Sequence, residues 1–239
     1  MWDPGDGVER VLVVTAHPDD VDFGSAGTVA AFTDAGVHVA YCIVTDGDAG
    51  GSDLSVPRPQ MAETRREEQR KAAAEVGVSD VTFLGYPDGR LTVTIDLRRD
   101  ISRVIRQCRP QRVVTQSPER MWERIFASHP DHLAAGEAAI CAVYPDSRNP
   151  FAHPELLAEG HEPHTVDEVW LMASSDATIA VDTTAQFERK VAALRCHRSQ
   201  VGDGDHLEPM LREWGGAVAR GWGLADGAVA EAFRVVKAS

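Results

Sequence analysis

Hydrophobic residues are grouped along this chain in short continuous runs, separated by longer segments in which apolar and polar residues are mixed. A continuous apolar run covers residues 11–16 (VLVVTA), which is typical of a strand buried on both faces of a parallel sheet. Comparable runs cover residues 38–45, 81–84, 112–116 and 166–173. Each of the five runs is predicted to be a β-strand.

Segments of helical character separate these strands. Residues 22–35 are rich in small side chains and precede Gly36, a favoured residue for the left-handed position after a helix. Further helices are predicted at residues 61–76, 96–108, 128–143 and 184–200. Ser128 is the expected N-cap of its helix, and Pro130 suits the first turn. The remainder up to residue 236 is predicted to be mostly helical, with two glycine breaks.

The alternation of strands and helices predicts the fold class. We expect one α/β domain over residues 1–239, built as a Rossmann-like three-layer α/β/α sandwich with a mostly parallel sheet. A length of 239 residues lies near the upper limit for one domain. Because ligands of such sheets bind outside the carboxyl ends of the strands, chemically active residues are expected directly after a strand.

Two short motifs fall where this architecture places active sites. AHPDD occupies residues 16–20, directly after the first predicted strand, and HPDH occupies residues 129–132, ahead of a later helix. A catalytic zinc ion takes three ligands from His, Asp and Glu side chains and leaves one position open for water. His17, Asp20 and His132 form such a set, so the predicted ion is Zn²⁺, with another divalent metal as the alternative.

The two motifs contain two more side chains that suit hydrolysis. Asp19 lies next to a predicted ligand and is the expected general base, accepting a proton from a water activated by the metal. His129 is expected to stabilise an oxyanion or to protonate a departing amine. A single His-Pro-Asp triplet is often only a turn and a helix cap. Two of them at one predicted sheet edge favour a metal site.

Composition and charge narrow the classes of partner. The net charge of -13 disfavours binding to nucleic acids and anionic lipid surfaces. No apolar run reaches about 18 residues, so no membrane span is expected. The cysteines are far apart and form no CxxC pair, which argues against a thiolate metal site and disulfides and favours a cytoplasmic location. They are Cys42, Cys108, Cys141 and Cys196. The predicted partner is a small molecule.

On its AHPDD and HPDH motifs the sequence resembles the PIG-L, or LmbE-like, family of zinc-dependent deacetylases. The likeness covers roughly residues 9–201. It includes four further features: Arg65-x-x-Glu68, Pro87-Asp88-Gly89, Lys190, and His197-x-Ser199-Gln200. Residues 202–239 match no pattern and form a C-terminal extension, a candidate for covering the pocket or for association into a homo-oligomer.

The resemblance implies a fold, a reaction and two more site residues. It implies a Rossmann-like sheet, the same metal ligands and acid–base residues as above, and substrate contacts from Arg65 and Asp88. The implied reaction is hydrolysis of the acetamide on an N-acetylglucosamine-type or related amino-sugar conjugate, which releases acetate and a free amine. The alternatives are a surface salt bridge for Arg65 and a plain turn residue for Asp88.

Two rival functions are compatible with the same motifs. The first is a different metal-dependent hydrolase, acting on a phosphoester or on an amide that is not part of a sugar. The second is a binding module, either a catalytically silent sugar-binding homologue or a dinucleotide-binding domain. The turn after Val14 lacks GxGxxG, which counts against the dinucleotide version.

Overall fold

The structure is a computed structural model that describes residues 7–51, 53–203 and 206–238. The strands in these residues are β1 Arg10–Thr15, β2 His38–Thr45, β3 Asp80–Tyr86, β4 Arg112–Gln116, β5 Glu168–Met172, β6 Ile179–Asp182 and β7 Ala230–Lys237. The α-helices are α1 Asp20–Asp34, α2 Arg58–Glu75, α3 Ile95–Cys108, α4 Pro130–Cys141, α5 Pro154–Ala158, α6 Phe187–Cys196, α7 Arg198–Val201 and α8 Leu207–Gly221.

The described strands form one sheet in the order β3-β2-β1-β4-β5-β7-β6. Strands β1 to β5 pair in parallel, whereas β7 is antiparallel to both β5 and β6. The predicted α/β class with a mostly parallel sheet is therefore confirmed. The chain runs outward from β1 through β2 to β3 and then returns to β4 on the other side of β1. The carboxyl end of β1 is thus the switch point where open α/β sheets bind ligands.

Both faces of the sheet are covered, which explains the uninterrupted apolar run of β1. One core packs α1, α2 and α6 against one face, around the large side chains of Phe32, Tyr41 and Trp170. The other core packs α3 and α4 against the opposite face and includes Leu12 and Ile101. The side chains of β1 alternate between these two cores, and burial of apolar surface on both sides stabilises the three layers.

The C-terminal prediction is wrong in part. The segment predicted as mostly helical ends in β7, which lies between β5 and β6, and β6 itself was not predicted. The β7 sequence AEAFRVVK contains several residues that favour helices, so local propensity was overridden by pairing with two neighbouring strands. The helix predicted at 184–200 also differs, because the backbone turns at His197 and separates α6 from α7.

The start of α4 differs from the prediction by one residue. His129, and not Ser128, is the N-cap, and its Nδ1 accepts a hydrogen bond from the backbone N–H of Asp131 at 3.1 Å. Ser128 ends a 3₁₀ turn, and its Oγ accepts a hydrogen bond from the backbone N–H of Met121 instead. Pro130 occupies the first turn as expected. The cap therefore fixes the ring of a predicted catalytic histidine.

A buried ion pair connects the C-terminal strand to α1. Lys190 Nζ lies 2.6 Å from Glu231 Oε1 and donates a hydrogen bond to the carbonyl oxygen of Phe23. The Glu231 carboxylate accepts hydrogen bonds from the backbone N–H groups of Gly27 and Thr28. These contacts join α6 and β7 to the helix that begins at Asp20.

Replacing Lys190 by Met is expected to lower the free energy of unfolding by about 3–5 kcal/mol, because it leaves the buried Glu231 carboxylate without its cation. Urea unfolding followed by circular dichroism measures the change. Lys71→Met, at an exposed position on α2, is the control and is expected to change stability by less than about 0.5 kcal/mol. Equal stabilities of the two variants would contradict a structural role for this pair.

No helix among the described residues is long and apolar enough to cross a membrane. All four cysteines are free, and Cys42 is buried in the sheet.

Candidate metal centre and active site

The AHPDD motif leaves β1 in a tight turn that is held from several sides. The backbone N–H of Ala16 donates to Gln116 Oε1 on β4 at 3.0 Å, and that of His17 donates to Asp20 Oδ2 at 2.7 Å. Asp19 has a φ of 93°, a left-handed conformation that is unfavourable for residues other than glycine. Helix α1 begins at the next residue, so the turn directs His17 and Asp20 to the same side.

The three predicted metal ligands contact one another. Asp20 Oδ2 lies 3.2 Å from His17 Nδ1, and Asp20 Oδ1 lies 3.0 Å from His132 Nε2. The His17 and His132 ring centroids are 5.2 Å apart, although the two residues belong to different motifs. The Asp20 carboxylate therefore lies between the two imidazoles, in an arrangement that can surround one cation.

The other nitrogen of the His17 ring faces two further carboxylates. Its Nε2 lies 3.0 Å from Asp88 Oδ1 and 3.3 Å from Asp131 Oδ2. Asp131 also accepts hydrogen bonds from the backbone N–H groups of Gly89 and Leu91, at 2.7 and 3.2 Å. Metal-binding histidines commonly donate their second nitrogen to a carboxylate, which orients the ring. Asp88 and Asp131 meet this requirement, and Nδ1, which faces Asp20, is the nitrogen that would hold the ion.

Sequence reasoning did not assign a role to Asp131. The residue lies inside the HPDH motif, so its position was visible, but its contact with His17 depends on the packing of α4 against β1. Asp88 was predicted to contact substrate. It lies within the same cluster, where its Oδ2 accepts a hydrogen bond from the backbone N–H of Ala49.

The charges in the cluster suit a divalent cation. Burial alone would lower the pKa of His17, but the nearby carboxylates Asp20, Asp131 and Asp88 raise it to about 12. The pKa of Asp20 is well below its usual range because His132 and His17 outweigh the effect of its burial. Three carboxylates surround the His17 ring, and imidazole with carboxylate is a donor set that zinc binds. The site therefore fits such an ion.

Two overlapping groups of potential ligand atoms lie within 4.8 Å of one another in the described residues. One contains His17, His129 and His132, and the other contains His17, Asp88 and Asp131. The second group is enclosed, since Asp131 is 1% exposed and two backbone N–H groups occupy its carboxylate. The first group, in which Asp20 lies between His17 and His132, is the more accessible of the two.

Asp19 lies beside the cluster in contact with a buried arginine. Its Oδ2 is 3.2 Å from Arg65 Nη2, and only 14% of its side chain is exposed. Burial raises the pKa of Asp19 to about 7, although the Arg65 guanidinium opposes the rise. A carboxyl group with such a pKa can accept and release a proton near neutral pH.

Arg65 is an internal residue of α2. Its side chain is 4% exposed, so the alternative of a surface salt bridge is wrong. Nη2 donates to the carbonyl oxygen of Pro18 at 2.5 Å, and Nη1 donates to that of Gly47 at 2.9 Å. The guanidinium thus connects the AHPDD turn to the loop after β2. A Cβ atom at Gly47 would lie 2.6 Å from Arg65 Nη1, so a side chain there would displace the guanidinium.

His129 completes the cluster on the side of α4. Its ring centroid is 4.9 Å from that of His17 and 5.3 Å from that of His132. Burial and the two neighbouring imidazoles lower the pKa of His129. Because Nδ1 accepts the capping hydrogen bond from Asp131, the proton of the neutral ring is on Nε2. His129 therefore offers an N–H donor to the site.

A known protein family matches the part of the chain that carries both motifs. The family model described as PIG-L, GlcNAc-PI de-N-acetylase, matches residues 12–143. The chain belongs to the PIG-L family. Its matched region contains both motifs and all seven site residues predicted from the sequence, namely His17, Asp19, Asp20, Arg65, Asp88, His129 and His132.

Relatives of this PIG-L protein share most of its length. The diacetylchitobiose deacetylase of Thermococcus kodakarensis is 34% identical over 212 residues, which cover 88% of this chain and 78% of the relative. The structure of N,N'-diacetylchitobiose deacetylase from Pyrococcus horikoshii, complexed with its inhibitor MPG, superimposes with a TM-score of 0.88 and 31% identity. That match covers 98% of this chain and 85% of the other. The predicted enzyme class, a hydrolytic deacetylase, is confirmed.

The fold alone would not have established this reaction. The 4-carboxy-2-hydroxymuconate hydratase of Pseudomonas putida superimposes with a TM-score of 0.78 at 20% identity, over 95% of this chain and 96% of the hydratase. Since one fold supports different chemistries, the reaction is inferred from the site residues and the more similar relatives.

Proposed function

We propose that this PIG-L protein is a zinc-dependent hydrolase that removes the acetyl group from an N-acetylglucosamine unit of an oligosaccharide or similar conjugate. The observation that carries the proposal is the cluster at the carboxyl end of β1, where Asp20 lies between two imidazoles and Asp19 lies beside it with a pKa of about 7. A hydrolase of this type needs both a cation site and an adjacent proton acceptor.

His17, Asp20 and His132 are the proposed ligands. A divalent ion held there would lower the pKa of a bound water and polarise the amide carbonyl. His17 would hold the ion through Nδ1, because its Nε2 faces Asp88 and Asp131. His132 would hold it through Nε2, the nitrogen that faces Asp20 at 3.0 Å.

Asp19 and His129 carry the proposed proton and charge chemistry. Asp19 accepts one proton from the attacking water as the new C–O bond forms, then delivers it to the nitrogen as the C–N bond breaks. The products are acetate and a free amine. His129 donates its Nε2–H to the oxygen that becomes negatively charged during the attack. The neutral ring favours this role over that of a proton donor to the amine.

Arg65 and Asp88 contact the proposed catalytic and metal-binding residues. Arg65 holds the Asp19 carboxylate and the Pro18 carbonyl, while Asp88 uses one oxygen for His17 and the other for the backbone of Ala49. These contacts favour an orienting function for both. Their predicted contact with substrate stays a prediction, as do a cytoplasmic location and a homo-oligomeric state.

A panel of substrates tests the proposal. Purified protein is stripped of metal, reloaded with zinc, and incubated with N-acetylglucosamine, diacetylchitobiose, a simple N-acetyl amide and a phosphate monoester. We expect acetate and free amine in equal amounts from the sugars and no phosphate from the ester. Phosphate release, or acetate from the simple amide alone, would overturn the assignment in favour of another hydrolase.

Replacing Arg65 by Gln is expected to move the acidic limb of the kcat/KM profile to higher pH. The guanidinium lowers the pKa of Asp19, so its removal raises that pKa further. Because the base works in its ionised form, the variant needs a higher pH to reach full activity. Arg66→Gln is the matched control, since Arg66 pairs with Asp46 on the neighbouring loop. An acidic limb that stays in place in Arg65→Gln would contradict the proposed contact.

A further inference from the structure

A chain of three buried polar side chains runs from the junction of α6 and α7 to the backbone of Asp19. His197 Nε2 lies 2.8 Å from Asp22 Oδ2, and Gln69 Nε2 donates to the same oxygen at 2.8 Å. Gln69 Oε1 in turn accepts a hydrogen bond from the backbone N–H of Asp19 at 2.8 Å. Asp22 belongs to α1, Gln69 to α2, and His197 to the junction of α6 and α7. The three side chains meet next to the AHPDD turn.

All three side chains are completely enclosed. Gln69, Asp22 and His197 are each 0% exposed. Burying polar groups is unfavourable unless they are hydrogen-bonded, and apolar residues would fill the same space at lower cost. These hydrogen-bonded side chains end at Asp19, beside the metal site. Their role is therefore expected to go beyond packing.

The chain determines the orientation of the Gln69 amide. Asp22 is an acceptor, so the NH₂ group of Gln69 faces it and the carbonyl oxygen faces Asp19. Asp22 is itself held by His197. Burial would lower the pKa of His197, but the Asp22 carboxylate outweighs this effect and raises that pKa. The His197 ring and the Gln69 amide thus hold the Asp22 carboxylate from two sides.

Helix α2 holds one peptide group of the AHPDD turn at both ends. Arg65 Nη2 donates to the carbonyl oxygen of Pro18, and Gln69 Oε1 accepts from the N–H of Asp19. These two atoms belong to the same peptide unit, and the two side chains lie four residues apart, on one face of the helix. Rotation of this peptide would change the left-handed φ of Asp19 and turn its carboxylate away from the cluster.

We propose that His197, Asp22 and Gln69 are positioning residues that lock the Pro18–Asp19 peptide and thereby aim the Asp19 carboxylate at the attacking water. The inference rests on the proposed function, in which Asp19 is the base. It assigns a task to the buried part of the His197-x-Ser199-Gln200 segment, which lies far from the two metal-site motifs in sequence.

Gln69→Met tests the proposal, because it keeps the length of the side chain and removes both hydrogen bonds. We expect kcat for acetate release to fall about 10²-fold, as for a catalytic group misplaced by about 1 Å, with KM and zinc content close to wild type. In an Asp19→Asn background the same change is expected to have almost no additional effect, since both substitutions act through one carboxylate.

His197 gives an independent comparison between two variants. His197→Leu removes the donor to Asp22 and is expected to lower kcat. His197→Gln restores a donor of similar reach and is expected to recover most of the loss. Ser199→Ala is the control, because Ser199 Oγ bonds Glu68 at the same α2 interface without joining the chain. It is expected to keep the wild-type kcat.

The outcomes separate this inference from the proposed function. If the wild type releases no acetate from any N-acetyl sugar, the proposed function fails. If the wild type is active and Asp19→Asn is not, but Gln69→Met keeps the wild-type kcat, only the positioning chain is wrong. A loss of the same size in the wild-type and Asp19→Asn backgrounds would also overturn it, because Gln69 would then act independently of Asp19.

Discussion

Asp19→Asn is expected to lower kcat about 10²–10⁴-fold while zinc content stays at the wild-type level. The amide has the size of the carboxylate but cannot accept the proton of the attacking water. Asp19 makes no contact with His17 or His132 in the described ion pairs, so the predicted ligands keep their geometry. Acetate release under saturating substrate, together with metal analysis of the same preparation, measures both quantities.

Asn is a better replacement than Ala at this position. Asn tolerates a left-handed backbone, whereas Ala at a φ of 93° adds strain and loses the contact with Arg65. Asp19→Ala is therefore expected to be equally inactive and also less stable. Asp46→Asn is the matched control, because Asp46 is a carboxylate near the same edge of the sheet that pairs with Arg66. Full turnover by Asp19→Asn would show that another group is the base.

The parts of the site that are local in sequence could be predicted from it. The apolar run of β1 and the motif that follows it are contiguous, so a buried strand and a ligand-bearing turn at its carboxyl end follow from pattern alone. His132 could be added because a second motif supplied the missing ligand. Its contact with Asp20 at 3.0 Å gives the spatial arrangement that the two motifs required.

The parts that depend on distant contacts could not be predicted. Asp131 and His17 are 114 residues apart, and Asp22 and His197 are 175 apart, so their pairing follows from how the helices pack on the sheet. Strand β7 was missed for a related reason. Its sequence mixes residues that favour helices with residues that favour strands, and pairing with β5 and β6 makes it a strand. Contacts between residues this far apart in sequence depend on the packing of helices and strands in the folded protein.

His17→Ala is expected to remove the metal and all measurable turnover. His17 is the residue shared by both groups of potential ligands, and it contacts Asp20, Asp88 and Asp131. Loss of an outer-shell partner typically weakens metal binding about 10–100-fold, and loss of a ligand is expected to exceed this. Zinc content after dialysis against a weak chelator, measured by atomic emission, should fall to background. His38→Ala, at an exposed position on β2, should retain the metal.

Two further variants distinguish the alternative positions of the ion. If the ion lies between His17, Asp20 and His132, His132→Ala abolishes zinc binding, while Asp131→Asn only weakens it, because Asp131 orients His17 without binding the metal. If the ion instead lies among His17, Asp88 and Asp131, the order of the two effects is reversed. The first outcome is expected, since Asp131 already accepts two backbone hydrogen bonds, whereas His132 Nε2 faces Asp20 at the accessible side of the cluster.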